Sequence, residues 1–272
     1  MKSSSYQRRG GPKAKLGRKT RIVLLLLAIV IVAAVLYAYS LASRVPSYYR
    51  PAEMSAAQRD LAMREFRRRL MDFSNDGQGR QPFDWSVTEE QLNRYLDAMD
   101  VIAVQGGAKP GAAERAMASA GLEEPAISLD DGRVRLMARS RRYDRIVSID
   151  IGLAVDDDGL LHVGLDGAHI GRLPMPASLV SSYVDRLRDK LSRPGGSAET
   201  APAIGGLDPA QVAQVIQRVL SAIDGKPIST KMSWRITTRK TVRVRRIDIS
   251  DGKLTLHLEP ILPADSDGNS NS

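Results

Sequence analysis

The sequence predicts an α+β protein: a single N-terminal transmembrane helix followed by a curved antiparallel sheet packed on amphipathic helices. Three observations predict it. Residues 22–42 are an uncharged apolar run. Several later segments alternate apolar and polar residues with period two, as half-buried strands do. Others repeat apolar residues every third or fourth position, as helices with one buried face do.

The run IVLLLLAIVIVAAVLYAYSLA, residues 22–42, would rise about 30 Å as a helix, the thickness of a bilayer core. The preceding residues 1–21 hold eight of the 40 Lys and Arg and no acid, leaving 32 basic residues against 31 acidic ones, so the net charge of +9 belongs to the tail. A chain whose remainder is almost neutral is not expected to bind nucleic acid. The basic flank places the N-terminus in the cytoplasm and everything after Ala42 outside it. Ser40-Leu41-Ala42 loosely fits a signal-peptidase site. The apolar run is longer than a signal core, and Tyr37 and Tyr39 are bulky near that site, so a retained anchor is expected. With no cysteine and no Asn-x-Ser/Thr sequon, the outer domain fits a bacterial envelope better than a secretory pathway that installs disulfides and glycans. Tyr37, Tyr39, Tyr48 and Tyr49 stand where an interfacial aromatic belt would lie.

Residues 43–53, with two prolines, read as a juxtamembrane spacer. A helix is expected from about Ser55 to Phe73, with Ala62, Phe66, Leu70 and Phe73 on one face, broken by the turn-formers of Ser74 to Pro82. The stretch FDWSVTEEQLNRYLDAM, Phe83 to Met99, contains two overlapping capping-box patterns, Ser86/Glu89 and Thr88/Gln91, before a stripe of Leu92, Tyr95, Leu96 and Met99. Glu89 and Glu90 fall in the first turn, where the helix dipole favours acids. They point about 100° apart, which is wrong for an acid/base pair converging on one atom. A short helix is expected at Ala112 to Ala118.

Period two then takes over. Val134, Leu136 and Ala138 follow the turn Asp130-Asp131-Gly132. Val147, Ile149, Ile151, Leu153 and Val155 form a longer strand, and Asp156 to Gly159 turns it into Leu161, Val163 and Leu165. Two amphipathic helices follow, Pro176 to Ser192 and Asp208 to Gly225, joined by the flexible RPGGSAETAPAIGG. Ile228, Met232, Trp234 and Ile236 resume the alternation. The phase shift from Val242 and Val244 to Ile247 and Ile249 predicts a bulge near Arg245-Arg246. Asp251-Gly252 turns into Leu254, Leu256 and Leu258. The organisation is therefore a basic cytoplasmic tail (1–21), transmembrane helix (22–42), juxtamembrane linker (43–53), extracytoplasmic α+β domain (54–263) and polar disordered tail (264–272).

Recognisable catalytic chemistry is sparse. No serine elbow, phosphate loop or zinc-protease motif occurs. His162 and His257 stand at polar-face strand positions, and no cofactor or metal set is expected. Asp156 to Gly159 lacks the first ligand of a calcium loop, since Ala154 occupies that place. Trp85 and Trp234 read as core residues. Two basic groups, Arg139, Arg141, Arg142 and Arg145 in one and Arg243 and Arg245 with their neighbours in the other, are candidate lipid-headgroup contacts, with edge-protecting surface charge as the plainer reading.

The basic tail, the membrane helix, the Thr88-Glu89-Glu90-Gln91-Leu92-Asn93 helix start and Gly171-Arg172-Leu173-Pro174-Met175-Pro176 before an amphipathic helix together resemble the bacterial YpmS-like membrane-anchored proteins. More loosely they resemble the YceB-type envelope lipoproteins. The second resemblance implies a tubular lipid-binding (TULIP-like) wrap, in which a curved sheet encloses a long helix. Neither implies a catalytic residue. On this reading the protein is a non-enzymatic, single-pass module of the bacterial cytoplasmic membrane. It would bind lipid or another hydrophobic envelope component in a groove lined by Val147, Ile149, Ile151, Leu161, Val163, Leu165, Trp234 and Ile236. The alternative is an envelope scaffold that docks a protein partner. A hydrolase of envelope polymers would need an acid pair assembled from distant carboxylates.

Overall fold

The computed structural model describes residues 18–105, 107, 109–176, 228–231, 233–237 and 240–261, with backbone alone for 18–22, 24 and 228–240. The helices expected over Pro176 to Ser192 and Asp208 to Gly225, the connection between them, most of the basic tail and the tail from Ala264 lie outside the described residues, as do the side chains of Trp234 and Ile236. The chain divides into two compact units, Met1–Leu41 and Ala42–Ser272.

The first unit is helical. Helix α1 spans Arg18–Ser43, and its stretch Leu25–Ser43 is long and apolar enough to cross a membrane. Its described large apolar side chains from Val23 to Tyr39 are more than half exposed, as a lipid-facing helix requires and a core helix forbids.

The second unit begins with a segment that does not behave as a spacer. Pro46 is fully buried, and Tyr49 packs against Ala126, Met137 and Ile146 with Tyr48 beside it. The Tyr49 hydroxyl donates to the Glu124 carbonyl at 2.7 Å. Burial, then the Glu124 carboxylate, raises the Tyr49 pKa, so the phenol stays protonated. Tyr48 and Tyr49 are therefore domain core rather than an aromatic belt, which corrects the linker expected over 43–53. Two aromatic rings supply enough apolar area to hold the strap against the sheet.

Helix α2, Ala56–Gly77, starts at Ser55, whose hydroxyl and backbone exchange hydrogen bonds with Gln58 in a capping box. It runs a turn beyond Phe73 because Ser74, Asn75 and Asp76 occupy a last turn whose carbonyls accept from Gln78. Phe73 packs edge-on against Phe83 and Trp85, with ring centroids 5.9 and 6.0 Å away. Strand β1 (Phe83–Thr88), which alternation had not marked, leads into α3 (Glu89–Asp97), α4 (Met99–Gln105) and α5 (Ala112–Ser119).

Among the described residues nine strands follow: β2 (Leu122–Asp130), β3 (Arg133–Ser140), β4 (Arg145–Val155), β5 (Leu160–Ile170), β6 (Leu173–Pro174), β7 (Ile228–Lys231), β8 (Ser233–Thr237), β9 (Lys240–Ser250) and β10 (Lys253–Ile261). They form two antiparallel sheets, β1-β10-β9-β8 and β2-β3-β4-β5-β6, with β7 also pairing β5. The expected single strand around Ile228 to Ile236 is split, its first half joining one sheet and its second half the other. At the bulge, Arg246 pairs with His257 and Val244 with Leu258, leaving Arg245 as the extra residue near the expected place. That extra residue puts Val242, Val244, Ile247 and Ile249 all on the inner face.

The Asp-Gly turns form as expected. Asp131 and Gly132 both have positive φ (28° and 78°), as do Asp251 and Gly252 (51° and 69°), the handedness that two-residue hairpins need. The turns also tie elements together, since Gly132 N–H donates to the Ile249 carbonyl and Glu89 N–H to the Gly252 carbonyl.

Candidate functional site

Register places one entirely apolar face across the larger sheet. Leu129, Val134, Ile151 and Leu165 form one row, Ile127, Leu136, Ile149 and Ala168 the next, and Ala138, Val147 and Ile170 a third. Leu153 opposite Val163 and Val155 opposite Leu161 continue it. The sequence-predicted groove residues Val147, Ile149, Ile151, Leu161, Val163 and Leu165 thus share this face. The other two candidates, Trp234 and Ile236, lie on β8 of the other sheet.

The face is unevenly covered. Ile151, Leu161 and Val163 are buried against one another and against Ile149, Leu153, Val155 and Ile247. Val155 and Ile247 also pack on the core of the smaller sheet around Val244, Leu256 and Leu258, so the two dry faces meet here. Away from that contact the cover thins: Val134, Val147, Leu165 and Ile170 are only half-buried, and Leu136 is 41% exposed. Leu136 is thus the large apolar side chain of this face that stays exposed.

The TEEQLN stretch explains how the neighbouring edge is closed. Thr88 and Gln91 form the capping box, whereas Ser86 lies within β1 opposite Thr255, so the overlapping box does not form. One turn apart on α3, Glu89 and Asn93 face the edge strand β2. Asn93 donates to the Ile127 carbonyl (2.8 Å) and accepts from its N–H (2.7 Å), and the Glu89 carboxylate accepts from Leu129 N–H and the Ser128 hydroxyl. The helix repeat of four thus matches the two-residue step of a strand, satisfying edge groups that would otherwise invite another strand. Sequence reasoning saw the cap but missed this clamp. Its signal was an i, i+4 acid–amide pair on the helix's sheet-facing side.

Most of the candidate headgroup arginines meet carboxylates. Arg139 pairs with Glu124 and Asp144, Arg141 with Glu123, and Arg243 and Arg245 share Glu259. Arg145 donates to the Asp144 carbonyl, and Arg142 sits 5.3 Å from the centroid of its exposed neighbour Tyr143. The hydrogen bond from Arg245 holds the Glu259 carboxyl below its ordinary value.

The opposite face of the larger sheet carries polar chemistry. Arg135 grips Asp150 through two hydrogen bonds of 2.6 and 3.0 Å, with side chains only 13% and 5% exposed, and its guanidinium stacks 4.2 Å from the Tyr48 ring centroid. Ser148 and His169 stand opposite each other nearby, yet buried Ser148 Oγ and His169 Nδ1 have no hydrogen-bond partner among the described residues. Serine, histidine and aspartate share a face here without the hydrogen bonds of a nucleophilic relay, and the aspartate is committed to arginine. On the smaller sheet, His257 touches Asp84 (2.6 Å) through Nδ1 and Asp248 (2.7 Å) through Nε2, while His162 meets Asp156 at the β4–β5 turn. Among the described residues no three His, Asp or Glu side chains group as a metal site. A cleft of about 350 Å³ between the strap and α2 is lined by Pro51, Met54, Arg59, Asp97 and Glu124 among others, its charges partly closed on themselves by the Arg59–Asp97 pair.

The chain matches no family model, no curated protein and no solved structure.

Proposed function

We propose that the protein is a single-pass module of a bacterial cytoplasmic membrane, N-terminus inside. Its outer α+β domain binds lipid or another hydrophobic envelope component without catalysing a reaction. The supporting observation is the apolar face of the larger sheet, where Leu136 is 41% exposed and Val134, Val147, Ile149 and Leu165 are half-buried in mid-sheet. An acyl chain laid across them would remove apolar surface from water, at about 25 cal/mol per Å² buried. A membrane helix beside such a domain keeps it where lipids are its most abundant apolar ligand. A TULIP-like wrap of this sheet around a helix is the finer version of the same reading.

The experiment is photo-crosslinking in bacterial membranes from benzoylphenylalanine placed at Leu136 or Ile149 of the full chain, with Arg133, on the opposite face of the sheet, as control. The expected result is a lipid-mass adduct at the first two positions and none at the third. Protein adducts at the first two would replace the reading by a scaffold that docks a partner. No adduct at either would mean that the face is closed by the protein itself.

A further inference from the structure

The arginines on the sheets are largely neutralised by neighbouring carboxylates, but those on the outer side of α2 are not. The ion pairs of α2 engage Arg59, Glu65 and Arg69, leaving Arg64 and Arg68 without a carboxylate partner among the described residues, and Arg67 donates only to the neutral side-chain amide of Gln105. Leu61, Arg64, Arg68 and Met71 follow one another at spacings of three, four and three, so they share one helix face. That face points to solvent: Leu61 is 56% and Met71 58% exposed, while Ala62, Met63, Phe66 and Phe73 turn inward. Asp60 and Asp72 stand just outside Leu61 and Met71 along the helix, so guanidinium fills its middle. A large apolar side chain at each end of an unpaired cationic centre matches the headgroup layer of a bilayer, where phosphates meet guanidinium and the first methylenes meet leucine and methionine.

We propose that the outer face of α2 docks on anionic phospholipid headgroups. This inference rests on the membrane-anchored reading above. Covalent connection favours it: the segment from Ser43 to Ala56 can reach no more than roughly 45 Å, so the bilayer surface is a ligand at high effective concentration.

The chain has no cysteine, so single probes can be placed without other changes. Leu61→Cys, Met71→Cys and, as control, Asp157→Cys on the exposed β4–β5 turn would each carry an environment-sensitive fluorophore, with the full chain in vesicles of phosphatidylcholine alone or mixed three to one with phosphatidylglycerol. The expected result is a blue shift and loss of iodide quenching at positions 61 and 71 only, only with phosphatidylglycerol, and reversed when salt shortens the Debye length to about 3 Å. The double variant R64Q/R68Q, with circular dichroism unchanged, should lower the ratio of protected to exposed label about 30-fold. Probes at 61 and 71 as quenchable as the one at 157 in both lipids would overturn the proposal, as would protection that persists in lipid-free detergent, which would point to self-association. Alkaline carbonate extraction separates the two readings: release of the chain sinks the anchor itself, whereas a retained chain with exposed probes sinks only the docking face.

Discussion

Thr88 and Ser86 looked equivalent as caps, and their surroundings separate them. Thr88 Oγ1 accepts from Gln91 N–H, while Ser86 belongs to a strand and its carbonyl accepts from Arg69. Thr88→Ala should lower stability by about 1 kcal/mol, and Ser86→Ala by less than about 0.5 kcal/mol. Equal losses in chemical denaturation would contradict the single box. Asn93→Leu should cost more, about 2 to 4 kcal/mol, because it strands both backbone groups of Ile127 at a buried edge. Carboxylates set the acid limit. Burial opposes ionisation of Asp248, but hydrogen bonds from His257 and Arg246 outweigh it and leave its pKa lowered; Arg245, against a smaller desolvation, lowers that of Glu259. A folded-state pKa below the unfolded one contributes stability that is fully present above the ordinary values of 3.8 and 4.5 and is lost as pH falls through the folded ones. Melting temperature should therefore drop as pH is lowered below about 4.5, and less steeply in Glu259→Gln. Parallel curves for the two proteins would remove Glu259 from that account.

The bulge in β9 shows how one residue fixes the orientation of a strand. Arg245→Ala removes only a half-exposed ion pair and should cost less than about 1 kcal/mol. Deleting Arg245 instead slips the register, so that Ile247 and Ile249 exchange faces with Arg246 and Asp248. The deletion should leave an insoluble or unfolded chain, and a melting curve like that of the parent would refute the bulge as a phase-setter. A similar bulge in β2 accommodates Glu124 and Pro125, where a proline without an N–H leaves no ladder bond unmade. The strap around Tyr49 and the clamp of α3 on β2 act between elements. Each joins groups far apart in sequence, Tyr49 with Glu124 and Asn93 with Ile127, so no local pattern announces them.

On the proposed single-pass reading, orientation is the first quantity to establish. Reversing most of the eight basic charges in residues 1–21 should then disturb or invert insertion, and protease accessibility of the domain that follows Ala42, in spheroplasts, measures it. Unaltered accessibility would mean that something other than the tail sets topology. Local periodicity made the apolar run, the helix starts, the Asp-Gly hairpins and the β9 bulge legible in the chain, because each depends on residues a few positions apart. Two of the longer strands escaped notice. In β1, FDWSVT alternates only briefly before its cap, and in β2, LEEPAISLD is interrupted by the bulged proline. The groove candidates on β4 and β5 were legible as one face, but their cover was not. Whether Leu136 stays open while Ile151 closes depends on where Ile247 of the other sheet lands. Charge behaved likewise. Composition showed many arginines, and only folding paired Arg139, Arg141, Arg243 and Arg245 with acids while leaving Arg64 and Arg68 without a carboxylate among the described residues. Periods of 2 and 3.6 residues are properties of the backbone and can be read along the chain; burial and pairing are distances between remote segments, and they come into being when the segments meet.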